Sequence, residues 1–370
     1  MKKFLILGLI FIVFGFGSWW VFDNRDNILS PSGNKKVLRQ VQDKLETFGF
    51  LPTWMVGKTK EYGSEVSHLI FLGIEVDKGG NLIWDVQSKK INNEDYLRQK
   101  KLTKESGGKN ILGVKLFDDE KLGEFLGNKV ARDNLVKQIN NVVDGGNFDG
   151  VNVDFEFQGN PIAILQDDFF EFLNNLKESD VGEISADVFA NTIIKGSEEN
   201  LKKLMENLDY LVVMAYDFHY PGVDYAGAVA PISSEAGERN INEVVESCIN
   251  NGLDKNKMVM AYPLYGYEWE TETDEFGSKV VRGWYQMASW NRVKELIKER
   301  NLVVNWDELS MSPWISFEDG KEIHQVYFEN EKSLKAKIDL VRQNKFVGYG
   351  YWALGYEGED SSVWDVAEIE

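Results

Sequence analysis

The chain has 370 residues, 43% hydrophobic and 27% charged, an ordinary globular composition with room for one large domain or two smaller ones. A net charge of −19 argues against a nucleic-acid partner and against adhesion of the folded part to anionic lipid, both of which need basic patches. A single cysteine, Cys248, excludes an intrachain disulfide, and the spacing of His68, His219 and His324 argues against a histidine-rich zinc site.

At the N-terminus, Met1-Lys2-Lys3 precedes an uncharged run from Phe4 to Phe22, close to the about 20 residues that span a bilayer. The run ends in Ser18-Trp19-Trp20-Val21-Phe22, which lacks a small-residue cleavage pattern and suits an interfacial aromatic belt. Residues 1–22 therefore read as a signal anchor, with the two lysines in the cytoplasm and the rest of the chain outside. A cleaved signal peptide and a secreted product are the alternative. Residues 23–45 are polar, include Ser30-Pro31-Ser32-Gly33, and read as a linker.

From residue 46 onward, short apolar runs alternate with amphipathic stretches such as Val130–Val143 and Asp167–Leu176. The expected strands are Phe50–Val56, His68–Val76, Asn110–Leu116, Gly150–Phe157, Ile184–Ala190, Tyr210–Tyr216, Met258–Tyr262 and Phe346–Trp352. Strands alternating with helices imply parallel pairing, and eight such units over 46–370 predict an α/β fold, a (β/α)8 TIM barrel. A doubly wound sheet is the alternative, although no G-x-G-x-x-G follows the first strand. Cys248 lies in the helical pattern Ile241–Ile249, where a buried, inert thiol is expected.

The stretch between the seventh and eighth strands is too long for one helix and predicts a small α+β insertion at about 269–324. It holds Trp269, Trp284, Trp290, Trp306 and Trp314. These form either the insertion's own core or a wall over the barrel mouth on which sugar rings stack. Trp54, after the first strand, is open to the same two readings.

The most informative segment is Asp149-Gly150-Val151-Asn152-Val153-Asp154-Phe155-Glu156-Phe157. Side chains alternate along a strand, so Asn152, Asp154 and Glu156 share one face and Val151, Val153 and Phe155 the other. The apolar face suits helices, and the polar face must enter the barrel or its mouth. A structural ion-pair network would bring Lys or Arg, which this strand lacks. Close carboxyls push their pKa values apart, so one stays protonated near neutrality. A protonated Glu at the C-terminal end of a barrel strand is where a general acid belongs.

This segment resembles the D-G-x-D-x-D-x-E motif of glycoside hydrolase family 18, the chitinases and their relatives, with Asn152 in place of the usual first aspartate of the acidic strand. Met214-Ala215-Tyr216-Asp217, Tyr262-Pro263-Leu264-Tyr265-Gly266-Tyr267 and Gly350-Tyr351-Trp352-Ala353-Leu354-Gly355 resemble the family's motifs on strands six, seven and eight. Two features depart from the chitinases. No S-x-G-G is visible near Gly113-Val114-Lys115-Leu116, and Tyr267 stands where many chitinases carry arginine. Asn152 and the W-A-L-G-Y ending are similar to the bacterial branch that includes spore-cortex N-acetylglucosaminidases.

The resemblance implies retaining, substrate-assisted hydrolysis of a polymer containing β-linked N-acetylglucosamine, chitin or peptidoglycan, with no metal or organic cofactor. Glu156 would protonate the leaving oxygen and Asp154 would orient the substrate acetamide. Tyr216 would hydrogen-bond that acetamide, and Asp217 would contact the same sugar or support Asp154. Trp352 would floor the sugar site. Tyr265, Trp269 and Trp54 are further candidates for substrate contact, with Tyr265 equally open to a packing role. Asn152 would donate its amide to Asp154 and hold it ionised. A non-catalytic carbohydrate-binding barrel is the alternative function.

Overall fold

The computed structural model describes residues 44–367. The expected anchor, residues 1–22, and the linker up to residue 43 lie outside the described residues. Among the described residues, no helix is long and apolar enough to cross a membrane.

The barrel strands are β1 (Glu46–Pro52), β2 (His68–Val76), β4 (Lys109–Leu116), β5 (Gly150–Phe155), β6 (Glu183–Phe189), β7 (Tyr210–Met214), β8 (Met258–Pro263) and β14 (Gly348–Trp352). Each pairs in parallel with its neighbours, and β1 pairs with both β2 and β14, which closes the sheet. Closure decides for the barrel over a doubly wound sheet. The two-residue β3 (Leu82–Ile83) is an antiparallel edge on β2.

The helices between strands include α1 (Glu94–Glu105), α2 (Asp119–Leu126), α3 (Lys129–Gly146), α4 (Asp167–Glu178), α5 (Ala190–Lys195), α6 (Glu198–Glu206) and α7 (Ile241–Asn250). Asn93, Asp118 and Asn128 cap the first three, each accepting a hydrogen bond from a first-turn backbone N–H. Cys248 on α7 is buried, and burial pushes its thiol up to about 12, consistent with an inert side chain.

The first strand starts and stops earlier than expected. Its apolar run continues through a 3-10 turn at Thr53–Met55, where Trp54 lines the barrel mouth and Met55 packs against the core, neither of them in the ladder. At the other end Thr47 is polar but buried, with its N–H bonded to the Ser67 hydroxyl, so apolar patterning alone does not reveal it.

On β5 the alternation holds. The Phe155 ring packs against Phe125, Phe169 and Phe172 of α2 and α4, while Asn152 and Asp154 point inward and are buried. Gly150 is required by close approach, since a Cβ there would lie 2.1 Å from the Glu183 carbonyl oxygen. A second apolar cluster packs Phe48, Phe50, Ile70, Leu72, Ile111, Val212, Val259 and Ala261, of which Phe50, Leu72, Val212 and Ala261 reach the cavity. Polar groups gather at both ends of the strands, His68 with Glu46 and Glu183 at the N-terminal end and the acidic residues of β5 toward the C-terminal end.

The insertion runs from β9 (Tyr265–Thr271) through β10 (Val280–Ser289), α8 (Trp290–Arg300), β11 (Asn305–Asp307) and β12 (Ser312–Asp319) to β13 (Glu322–Tyr327). The strands form one antiparallel sheet in the order β10-β9-β13-β12-β11. It is the expected α+β unit but begins four residues earlier, because β9 follows β8 after Leu264 alone. Tyr267 pairs with Tyr327, so the insertion enters and leaves the barrel side by side. A Cβ at Gly266 would lie 1.8 Å from the Tyr327 carbonyl oxygen, which explains glycine at that crossing.

A buried ion pair ties the exit of the insertion to α9 (Glu331–Asn344), the helix that feeds β14. The Lys337 ammonium lies 2.8 Å from Glu329, and both side chains are essentially inaccessible. Removing one partner of such a pair leaves a charge stranded in the interior. Glu329→Ala is expected to cost about 3–5 kcal/mol in urea or thermal unfolding, and Glu329→Leu combined with Lys337→Met to recover most of that loss.

Candidate active site

The C-terminal ends of the strands open into a cavity of about 280 Å³ lined by Asp154, Glu156, Tyr216, Asp217, Tyr265, Trp54 and Trp352, among others. Seven of the nine residues singled out from sequence therefore meet at one place. Asp154 sits near the end of β5, and Glu156 follows the strand, half-buried at the lip. Tyr216 and Asp217 follow β7. Asp217 takes a left-handed backbone conformation, φ 56°, which aspartate tolerates in turns. Its carboxylate accepts a 2.6 Å hydrogen bond from the Tyr265 hydroxyl, so Tyr265 both lines the cavity and fixes Asp217. Trp352 closes the floor between Phe50 and Trp54, with ring centroids 6.1 Å from each. Trp54 is 39% exposed and lines the cavity mouth, so it is not a core residue.

Two expectations are corrected. Trp269 does not reach the cavity. It is fully buried in the insertion's own core with Ala226, Ala228, Val280 and Tyr327, because its place on β9 turns it away from the barrel. The insertion's contributions to the wall are Tyr265, Tyr267 and Met287. Asn152 does not donate to Asp154. Its amide donates to Ser185 Oγ at 3.0 Å and to Asp187 Oδ1 at 2.9 Å, both on β6, which lies alongside β5 in register.

The structure adds residues that sequence reasoning missed. Asp187 is buried on β6 and lines the cavity. Its signal was present, since Ser185 and Asp187 alternate with Ile184, Ala186 and Val188 as the acidic residues of β5 alternate with valines. Lys115 on β4 lies in register with Asp154 and is 3.3 Å from Glu75. Gln158 donates its amide to Glu156.

These contacts set the protonation states. Burial pushes the Asp154 carboxyl upward, opposed by its hydrogen bond with Glu156 and by the charge of Lys115. Glu156 also rises, through burial, the Asp154 charge and hydrogen bond, and the charge of Asp187, with the Gln158 amide opposing. Glu156 rises further, because a charge on Asp154 makes the second ionisation harder. Asp187 is pushed well above the usual carboxylate range by burial and then by Asp154. Burial, with Asp217, Glu156, Asp154 and Asp187 around it, pushes the Tyr216 phenol up, so it remains a hydrogen-bond donor. The arrangement joins a proton-bearing Glu156, an adjacent Asp154, a phenolic donor and an aromatic floor in one cavity.

Comparison with known proteins agrees with this geometry. The family described as "Glycosyl hydrolases family 18" matches residues 46–357. The chain is 24% identical over 332 residues to the uncharacterized glycosylase YvbX of Bacillus subtilis, covering 85% of this chain and 90% of that one. It is 23% identical over 250 residues to the B. subtilis cortical fragment-lytic enzyme, covering 65% of this chain but only 55% of that protein. Among solved structures, a Cycas revoluta chitinase in complex with (GlcNAc)3 superposes with a TM-score of 0.76 at 19% identity, over 88% of this chain and 98% of that one. The Bacillus megaterium spore cortex-lytic enzyme SleL superposes with a TM-score of 0.70 at 23% identity, over 88% and 73%. The chain belongs to glycosyl hydrolases family 18 and is a glycoside hydrolase built on a (β/α)8 barrel.

Proposed function

We propose that the protein hydrolyses β-linked N-acetylglucosamine polymers with retention of configuration, through the substrate's own acetamide group. The observation that carries this reading is the hydrogen-bonded pair of Asp154 and a protonated Glu156 facing one cavity with Tyr216. Glu156 gives its proton to the departing glycosidic oxygen. The acetamide carbonyl oxygen attacks the anomeric carbon as that bond breaks. Asp154 accepts a hydrogen bond from the acetamide N–H and balances the positive charge of the cyclic intermediate. Tyr216 donates to the acetamide oxygen, and Trp352 offers an apolar face to the sugar ring. Water, deprotonated by Glu156 now acting as base, opens the ring from the face the leaving group left. A cell-wall glycan is the favoured substrate, supported by the similarity to the cortical fragment-lytic enzyme and by asparagine at 152. The acidic chain suits a neutral or amphoteric polymer.

We further propose that the Phe4–Phe22 run anchors the enzyme to the membrane with the barrel outside, joined through the polar linker.

Glu156→Gln keeps the shape but removes the transferable proton. It is expected to lower kcat by about 10²–10⁴ on chitin oligosaccharides or purified peptidoglycan while binding persists. Near-normal turnover by this variant would remove Glu156 from the mechanism. Rapid NMR of the first product from a β-linked substrate should show the β-anomer, and an α-anomer would exclude the acetamide route. For the anchor, full-length protein should stay with membranes through carbonate washing and leave them in detergent. A soluble product beginning between residues 18 and 30 would show a cleaved signal instead.

A further inference from the structure

The site contains more hydrogen-bond acceptors than donors. Both hydrogens of the Asn152 amide are committed, to Ser185 and to Asp187. Asn152 Oδ1 and Asp154 Oδ1 are buried and have no hydrogen-bond partner. Buried polar atoms left in that state are costly. Protons held on the carboxyls themselves are the means of supplying donors here. Four carboxyls line the cavity: Asp154 and Glu156 on and just after β5, Asp187 from β6, and Asp217 after β7, which is held by the Tyr265 hydroxyl. Asp187 is 5% exposed, and its Oδ1 reaches the Asn152 side chain, the position where an acidic strand of this pattern otherwise carries its own first carboxyl.

We propose that Asp187 is a positioning residue for the acid: it restores from β6 the third carboxyl that Asn152 removes from β5, and it keeps the transferable proton on Glu156. The inference rests on the hydrolase reading above. Asparagine at 152 and aspartate at 187 are then one exchange, a carboxyl moved across a strand pair with the hydrogen bond between them preserved. Electrostatics point the same way, since a charge on Asp187 opposes the ionisation of Glu156. The other charged or titratable groups lining the cavity are Lys115 from β4, Tyr216 and Asp217 after β7, and Tyr265 and Tyr267 from β9. Lys115 is the cation among these described residues, and its charge acts on Asp154.

The test is a charge exchange. Asp187→Asn removes a carboxylate that hinders the ionisation of Glu156, so the alkaline limb of the kcat/KM profile on chitotetraose or peptidoglycan should move acidward by about one pH unit. KM should change little. The double variant Asn152→Asp with Asp187→Asn puts one carboxyl back and should return the limb to its wild-type position. A merely structural Asp187 would lower the unfolding temperature without moving the limb. Independently of turnover, 13C NMR of labelled aspartate carboxyls in the wild type should show Asp187 titrating above the ordinary carboxylate range alongside Asp154, and the Asp187 signal should be absent from Asp187→Asn. Ordinary titration of every aspartate, or an unmoved alkaline limb in Asp187→Asn, would overturn the proposal. A wild type that turns over no amino-sugar polymer sinks the hydrolase reading instead, and the carboxyl titration then judges Asp187 by itself.

Discussion

The strict alternation of β5 is the constraint from which the site follows. Val151, Val153 and Phe155 need the helices outside, so Asn152, Asp154 and Glu156 have no choice but to face the barrel axis. At the N-terminal end of the barrel the polar places are already taken, by His68 with Glu46 and Glu183 and by Lys109 with Glu183. At the C-terminal end of the strand they meet Asp187, Ser185, Lys115 and Tyr216. The same period of two that packs the outer wall therefore delivers an acid, its partner carboxylate and their supports to one depth. A slip of one residue in register would reverse every one of these side chains.

Neighbouring strands complete what β5 begins. Parallel pairing aligns Lys115 with Asp154 on one side and Ser185 with Asn152 on the other, so the polar cluster spans three adjacent strands. Each backbone is fixed by its ladder, which gives the side chains little freedom to relax away from one another. Close approach without relaxation is what separates the protonation of Glu156 from that of Asp154.

Most of the barrel was legible because its signals are local: apolar runs of strand length, amphipathic helices between them, and four short motifs in chain order. The cluster Asp154, Glu156, Tyr216, Asp217, Tyr265 and Trp352 could be assembled from those motifs, since each marks the end of a barrel strand. What the sequence concealed depends on three-dimensional neighbours. Trp269 carries the composition of a sugar platform, but the antiparallel sheet turns it inward, and only the partner strands decide that. Asn152 was assigned a neighbour on its own strand, Asp154, when its amide reaches across to β6 instead. Asp187 displays the same alternation as the acidic strand, yet one aspartate between apolar residues carries no motif to mark it. The first strand was misplaced because Thr47 is polar and buried, while Trp54 and Met55 are apolar and outside the ladder.

Lys115 shows how finely the charge of the site is set. Among the described residues it is the one lysine or arginine lining a cavity that also holds Asp154, Glu156, Asp187 and Asp217. Lying directly on Asp154, it would form a closed ion pair and hold that carboxylate ionised under all conditions. The Lys115 ammonium instead lies 3.3 Å from the largely exposed Glu75 carboxylate. Lys115 thus acts on Asp154 through its field and not by full neutralisation, which lets Asp154 keep its hydrogen bond with Glu156. A bare pair of buried carboxyls would hold its proton too tightly, and a fully neutralised pair would have no reason to share one. With its ammonium paired to Glu75 and its field on Asp154, the lysine favours charge on Asp154 and the proton on Glu156, the distribution that protonation of a leaving oxygen requires.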